Sequence, residues 1–197
     1  MFVNTAGIGA RFPNADTRVV NARPGDAVIV TGTLGDHGAA VISCRDGVNL
    51  ESGLVSDVAP LWNLVAPLLR QGVDIHCLRD PTRGGLAAAL NDIAESSRVG
   101  IRLFEKKMPV KEEVWGICRL LGLDPLNMAC EGCAVIVCPG KSAGTVLDSL
   151  HSNPLGRNAK AIGNIIEQPP GLVVLETEIG GERIIETPMG EDLPRIC

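Results

Sequence analysis

Val73–Ser96 reads VDIHCLRDPTRGGLAAALNDIAES. Its first six residues form a short apolar run that predicts a strand, and Leu86–Ser96 carries alanine and leucine at helical spacing. Between them, Asp80-Pro81-Thr82-Arg83-Gly84-Gly85 turns one into the other, with proline and paired glycine as punctuation. A strand leading through a polar turn into a helix places the chain among folds that mix the two.

The pattern continues on both sides. Upstream, Arg23-Pro24-Gly25-Asp26 is a turn and Ala27–Thr31 (AVIVT) a buried strand. Ala39–Cys44 reads as a helix after Gly35-Asp36-His37-Gly38, with Asp36 as a candidate cap. Val58–Gln71 reads as an amphipathic helix, with Asp57 near its start and Gly72 past its end. Downstream, Val99–Phe104 is strand-like and Lys111–Leu121 helical, stopped by Gly122. Asn127–Gly132 is a polar turn, Cys133–Cys138 a buried strand, and Ser142–His151 a helix that Ser142 is placed to cap. Ala159–Ile166 and Leu172–Glu176 read as strands, and Gly180-Gly181 turns the second back through Glu182–Glu186 as a hairpin. The fold class is therefore α/β, or α+β, with a mixed sheet packed against helices. An irregular tail follows from Thr187. Met1–Gly9 reads as a strand that starts abruptly, as a truncated chain would.

Composition excludes several classes. The 197 residues suit one sizeable core or one domain with an appendage. Aromatic content is 3%, so aliphatic residues must fill that core. A net charge of -5 with no basic run argues against nucleic-acid binding. No apolar stretch reaches membrane-spanning length, and the first residues lack a basic-then-apolar signal pattern. Seven cysteines, an odd number with several inside apolar runs, predict a reducing cytoplasmic setting rather than a disulfide framework.

Three stretches can carry chemistry. In Asp80–Gly85, Gly84 and Gly85 let backbone N–H groups approach an anion, and Arg83 offers a planar cation for phosphate or carboxylate. Asp80 and Thr82 supply oxygens to orient a partner. The plainer reading is a helix capped by Asp80 or Thr82, with glycines for close packing. In Cys130-Glu131-Gly132-Cys133, the cysteines fit a zinc or redox pair, although no second Cys/His pair follows. Glu131 is placed to act as a general base, or is a solvated turn residue. The chain ends in Pro194-Arg195-Ile196-Cys197, a thiol on a tail stiffened by Pro194. It is either a mobile nucleophile or a frayed end. His37 and His76 read as hydrogen-bonded structural groups.

The terminal Pro194-Arg195-Ile196-Cys197 together with Asp80-Pro81-Thr82-Arg83-Gly84-Gly85-Leu86 resembles the HypE family of hydrogenase maturation proteins. Asn4-Thr5-Ala6-Gly7-Ile8-Gly9, Gly35-Asp36-His37-Gly38 and Glu131-Gly132 fit the same family. The resemblance covers essentially the whole chain and places it in the aminoimidazole ribonucleotide (AIR) synthetase-like group. It implies a C-terminal-domain fold over residues 23–186, a linking remnant at 1–22 and a flexible tail at 187–197. It also implies a missing N-terminal domain that holds most of the ATP and Mg2+ ligands.

The activity it implies is ATP-dependent carbamoyl dehydration in the cytoplasm. Cys197 would accept a carbamoyl group from the carbamoyltransferase HypF, and dehydration would leave a thiocyanate. Cyanide would then pass to iron on a HypC–HypD scaffold for the nickel–iron hydrogenase. Glu131 would be the base. Asp80, Thr82, Arg83, Gly84 and Gly85 would face the nucleotide or the tail, and Pro194, Arg195 and Ile196 would position Cys197. The full-length protein would be a homodimer, and this fragment alone inactive in dehydration, with no metal of its own. The alternatives are another ATP-dependent enzyme of the group, such as selenophosphate synthetase, or a non-catalytic carrier read by partners.

Overall fold

The computed structural model describes Asn4 and residues 6–13, 15–44 and 53–188. A 3-10 turn at Val19–Asn21 precedes the first strand, β1, Asp26–Val30. That strand is followed by helix α1 (Asp36–Ser43), helix α2 (Trp62–Arg70), strand β2 (Cys77–Arg79), helix α3 (Gly85–Ser97) and strand β3 (Gly100–Phe104). Next come α4 (Glu112–Leu121), β4 (Val135–Pro139), α5 (Ala143–His151), β5 (Lys160–Ile166), β6 (Val173–Glu176) and β7 (Glu182–Ile184).

The strands form one mixed sheet in the order β2-β4-β1-β5-β3-β6-β7. Neighbours are antiparallel except β3 and β6, which run parallel. The α/β architecture with a mixed sheet is thus the one expected from the sequence.

Strand β1 shows why the sheet is central. Its side chains alternate, so Val28 and Val30 point to one face and Ile29 to the other. Val28 and Val30 join Leu86, Leu90 and Ile93 of α3 in the main core, with Ile101, Leu103 and Ile162 from neighbouring strands. Ile29 meets Leu64 and Leu68 of α2, Val146 and Leu150 of α5, and Ile136 of β4. The sheet is therefore covered by α3 on one face and by α2 and α5 on the other. A third cluster joins Ala39 and Ile42 of α1 to Val114, Ile117 and Cys118 of α4, over Met128.

Several expected boundaries move, each for a local reason. Helix α2 begins at Trp62 rather than Val58. Pro60 disfavours helical backbone at Ala59, and the Val58 N–H is already donated to Ser56 Oγ at 3.2 Å. Strand β2 begins at Cys77 rather than Val73, because Val73 closes α2 by donating its N–H to the Leu68 carbonyl at 3.1 Å. Asp36 does not cap α1. Gly35 holds the N-cap position in a left-handed conformation, and Asp36 is the first helical residue. Ser142 occupies the N-cap of α5 without a side-chain bond to it. Asn4 and Ala6–Gly9 lie in no strand, and the remainder of the expected N-terminal strand falls outside the described residues.

His76 is a hydrogen-bonded structural group, as expected. Its Nδ1–H donates to Asp26 Oδ2 at 2.7 Å, and both side chains are buried.

Candidate active site

Antiparallel pairing brings the end of β1, the end of β2 and the start of β4 to one end of the sheet. Val30 lies opposite Val135, and so does Arg79. The connections at that end are Thr31–Gly35, Asp80–Gly84 and Asn127–Ala134, and the chain before α2 folds across them.

Two bonds close the first connection on the third. The Thr31 N–H donates to the Ala134 carbonyl at 3.0 Å, and the Ala134 N–H donates back to Thr31 Oγ1 at 2.8 Å. Another joins the second connection to the third, where the Cys130 N–H donates to the Pro81 carbonyl at 3.0 Å. Glu131 is the next residue. The structure therefore brings the Asp80–Gly85 turn and Glu131 onto one corner of the molecule.

Within the turn, Asp80 accepts from Arg79 Nη1 at 3.1 Å and faces the Thr82 hydroxyl at 3.5 Å. Arg83 is exposed. Neither Asp80 nor Thr82 caps α3, because Gly84 is the N-cap, at φ 72° and without a side-chain bond. Gly85, at φ 61°, serves close packing. A Cβ there would stand 2.5 Å from the carbonyl oxygens of Leu126 and Met128. The helix start is thus pressed against the segment that leads to Glu131.

Glu131 is half-buried, and its turn is held from an unexpected direction. Asp57 accepts the Glu131 N–H at Oδ1 and the Gly132 N–H at Oδ2, each at 3.1 Å. Its neighbour Ser56 lies 2.8 Å from His37 Nδ1 on α1. In sequence, Asp57 stands only near the start of a helix. The usable signal is Pro60, which disfavours a helical start before it and leaves Asp57 for another partner.

Cys130 and Cys133, flanking Glu131, are buried. The Gly35 N–H donates to Cys130 Sγ at 3.2 Å, and the Thr31 hydroxyl faces Cys133 Sγ at 3.8 Å. Burial pushes both thiols above their ordinary range. Both side chains pack in the core, hydrogen-bonded to Gly35 and Thr31. Among the described residues no group of three His, Cys, Asp or Glu side chains is placed to hold a metal.

Asp36 is buried and accepts from the Thr33 hydroxyl at 2.5 Å and from Lys111 Nζ at 2.7 Å. It ties α1 to the residue before α4.

The last described residues run toward the same corner. The Ile185 N–H donates to the Val173 carbonyl at 2.8 Å, and the Ile185 carbonyl accepts from Asn91 Nδ2 of α3 at 2.9 Å. Pro188 then lies over Gly84, with its Cδ 3.7 Å from where a Gly84 Cβ would be. A groove of about 280 Å³ beside this run is lined by Asp124, Asn127 and Arg183–Pro188. Pro194, Arg195, Ile196 and Cys197 lie outside the described residues.

Residues 23–175 match the AIR synthase related protein, C-terminal domain. The chain belongs to that family. Within the AIR synthase related family, it is 48% identical over its whole length to the carbamoyl dehydratase HypE of Rhizobium leguminosarum bv. viciae, of which it covers 57%. A crystal structure of a HypE–HypF complex superposes with a TM-score of 0.85 at 41% identity, covering 90% of this chain and 57% of the other. A HypE structure in complex with ATP gives 0.86 at 41%, covering 92% and 55%. The chain thus spans somewhat over half the length of the relatives it matches. Among the described residues no helix is long and apolar enough to cross a membrane.

Proposed function

We propose that the chain is the C-terminal part of an ATP-dependent carbamoyl dehydratase that serves hydrogenase maturation in the cytoplasm. One observation carries this reading. The Asp80–Gly85 turn, Glu131 and the chain leading to the terminal cysteine meet at one corner, through the Cys130–Pro81 bond and the Pro188–Gly84 contact. Nine residues follow Pro188, which when extended reach up to ~30 Å, ample to return Cys197 to that corner. The similarity to carbamoyl dehydratases and to a HypE structure holding ATP supports the same reading.

In the proposed reaction, the Cys197 sulfur carries a carbamoyl group, S–C(=O)–NH2, delivered by HypF. The carbamoyl oxygen attacks the γ-phosphorus of ATP, ADP leaves, and one N–H proton is lost. The product is S–C(=NH)–O–phosphate. Removal of the second N–H proton forms the C≡N bond as the C–O bond breaks, and phosphate departs. Glu131 is the base for an N–H proton, since a carboxylate at hydrogen-bond reach is suited to this transfer.

The Asp80–Gly85 turn faces the nucleotide or the tail. Arg83 is the cation on it, and Asp80 and Thr82 orient the approaching groups. Pro194, Arg195 and Ile196 position Cys197. Mg2+ would accompany ATP, its ligands lying mainly in the N-terminal part of the full-length protein. HypF as donor, a HypC–HypD scaffold as cyanide acceptor and a homodimeric full-length protein complete the proposal. The 197-residue chain alone does not dehydrate.

The test is Glu131→Gln in the full-length protein, supplied with carbamoyltransferase, carbamoyl phosphate and ATP. The reading expects Cys197 to stop at the carbamoyl stage, seen by mass spectrometry of the C-terminal peptide. Thiocyanate formation at the unaltered rate would remove Glu131 from the reaction.

A further inference from the structure

The Glu131 and Gly132 N–H groups flank the Glu131 Cα. One defines the plane that fixes φ, and the other the plane that fixes ψ. Asp57 accepts both, one on each carboxylate oxygen, at 3.1 Å. A side chain that holds both torsions of a residue also holds the direction of its Cα–Cβ bond. The peptide before it is pinned as well, by the Cys130 N–H bond to the Pro81 carbonyl.

Asp57 is itself firmly placed. Ser56 Oγ lies 2.8 Å from His37 Nδ1 and accepts the Val58 N–H at 3.2 Å. The Asp57 carbonyl sits so close over Gly132 that no Cβ fits between them. A turn that needed only a solvated surface has no use for a charged clamp brought in from 74 residues away along the chain.

We infer that Asp57 is a positioning residue for Glu131, fixing the backbone from which its carboxylate reaches the reacting carbamoyl group. This rests on the base role proposed for Glu131. Charge-assisted bonds to consecutive N–H groups are among the stronger and more directional available, and orienting a base within a fraction of an ångström governs rate more than binding.

The test is Asp57→Asn in the full-length protein, alone and combined with Glu131→Gln. Asparagine keeps the shape, but its NH2 sets a donor against a donor at one of the two N–H groups. The expected result is a kcat for thiocyanate formation that falls roughly ten- to hundredfold. The KM for ATP and the rate of carbamoyl loading onto Cys197 stay unchanged, and Asp57→Asn adds no further loss on top of Glu131→Gln. That non-additivity is the readout a merely structural role would not produce. An equal loss in both backgrounds, or no loss in the single variant while Glu131→Gln is impaired, overturns the inference. Full activity of Glu131→Gln overturns the underlying reading, and with it the role of Asp57. Should Asp57→Asn fail to fold, Ser56→Ala loosens the same segment, with a smaller fall in kcat and the same non-additivity expected.

Discussion

Gly132 lies so close beneath Asp57 that a Cβ built on it would stand 1.7 Å from the Asp57 carbonyl oxygen. Gly132→Ala must therefore push the chain before α2 off the turn and break the Asp57 bonds. The expected loss is about 2 kcal/mol or more, in the range of strained or overpacked substitutions, measured by urea denaturation of the chain. Unchanged stability would mean the two segments do not touch.

Two glycines with similar torsions separate strain from crowding. Gly85 (φ 61°) would meet backbone oxygens at 2.5 Å, whereas Gly180 (φ 86°) has open space around it. Gly180→Ala should cost about 1 kcal/mol from the left-handed backbone alone. Gly85→Ala should cost at least about 2 kcal/mol more, because α3 would have to lift from Leu126 and Met128. Equal midpoint shifts for the two variants would contradict the packing described at the site.

The Lys111–Asp36 pair is asymmetric, with Asp36 buried and Lys111 half-exposed. Lys111→Met keeps the aliphatic stem but leaves the buried carboxylate with only its Thr33 partner. A destabilisation of about 2 kcal/mol is expected, below the range for a fully buried pair because water reaches the Lys111 end. Differential scanning calorimetry at neutral pH reads the shift, and Lys111→Arg should recover most of it.

Burial raises the Cys77, Cys118 and Cys138 thiols to about 11 each. Below about pH 9 these thiols are protonated whether the chain is folded or not, and their contribution to stability is full. Between about 9 and 11 the unfolded chain loses these protons while the folded chain keeps them, so stability falls as pH rises. Denaturation midpoints taken across that window should decline with pH, and less steeply in Cys77→Ser. In native protein at pH 8, exposed Cys44 should be alkylated well before these three.

Much of the fold was legible because local and tertiary signals agreed. Ala27–Thr31 is apolar enough to be buried on both faces, and β1 is the strand between β4 and β5. Leu86–Ser96 has the helical spacing that α3 buries, and Gly122 ends α4 as expected, in a left-handed conformation. The errors came where a residue serves a distant partner. Asp57 resembles a helix cap in sequence but binds Glu131 and Gly132. Asp36 resembles another cap but pairs with Lys111. The hydrogen-bonded role expected of His76 holds, but its partner Asp26 has no signal in the local sequence. Short-range patterns carry no trace of partners 50 to 75 residues away.

The site was legible in part. Glu131 and the Asp80–Gly85 turn were singled out from residue type, and the structure brings them together. Their junction through Cys130 and Pro81 could not be read from sequence, because it is a backbone bond made by tertiary folding. The spacing of Cys130 and Cys133 is visible in sequence, whereas their burial is not.

The most direct test of the account is the mass of the C-terminal peptide from the full-length protein after reaction with carbamoyltransferase, carbamoyl phosphate and ATP. One carbamoyl group is predicted on Cys197 when dehydration is blocked by Glu131→Gln. Thiocyanate at Cys197 is predicted in the unaltered protein, and neither product in Cys197→Ala. A carbamoyl group carried on another residue, or thiocyanate formed in Cys197→Ala, would contradict it.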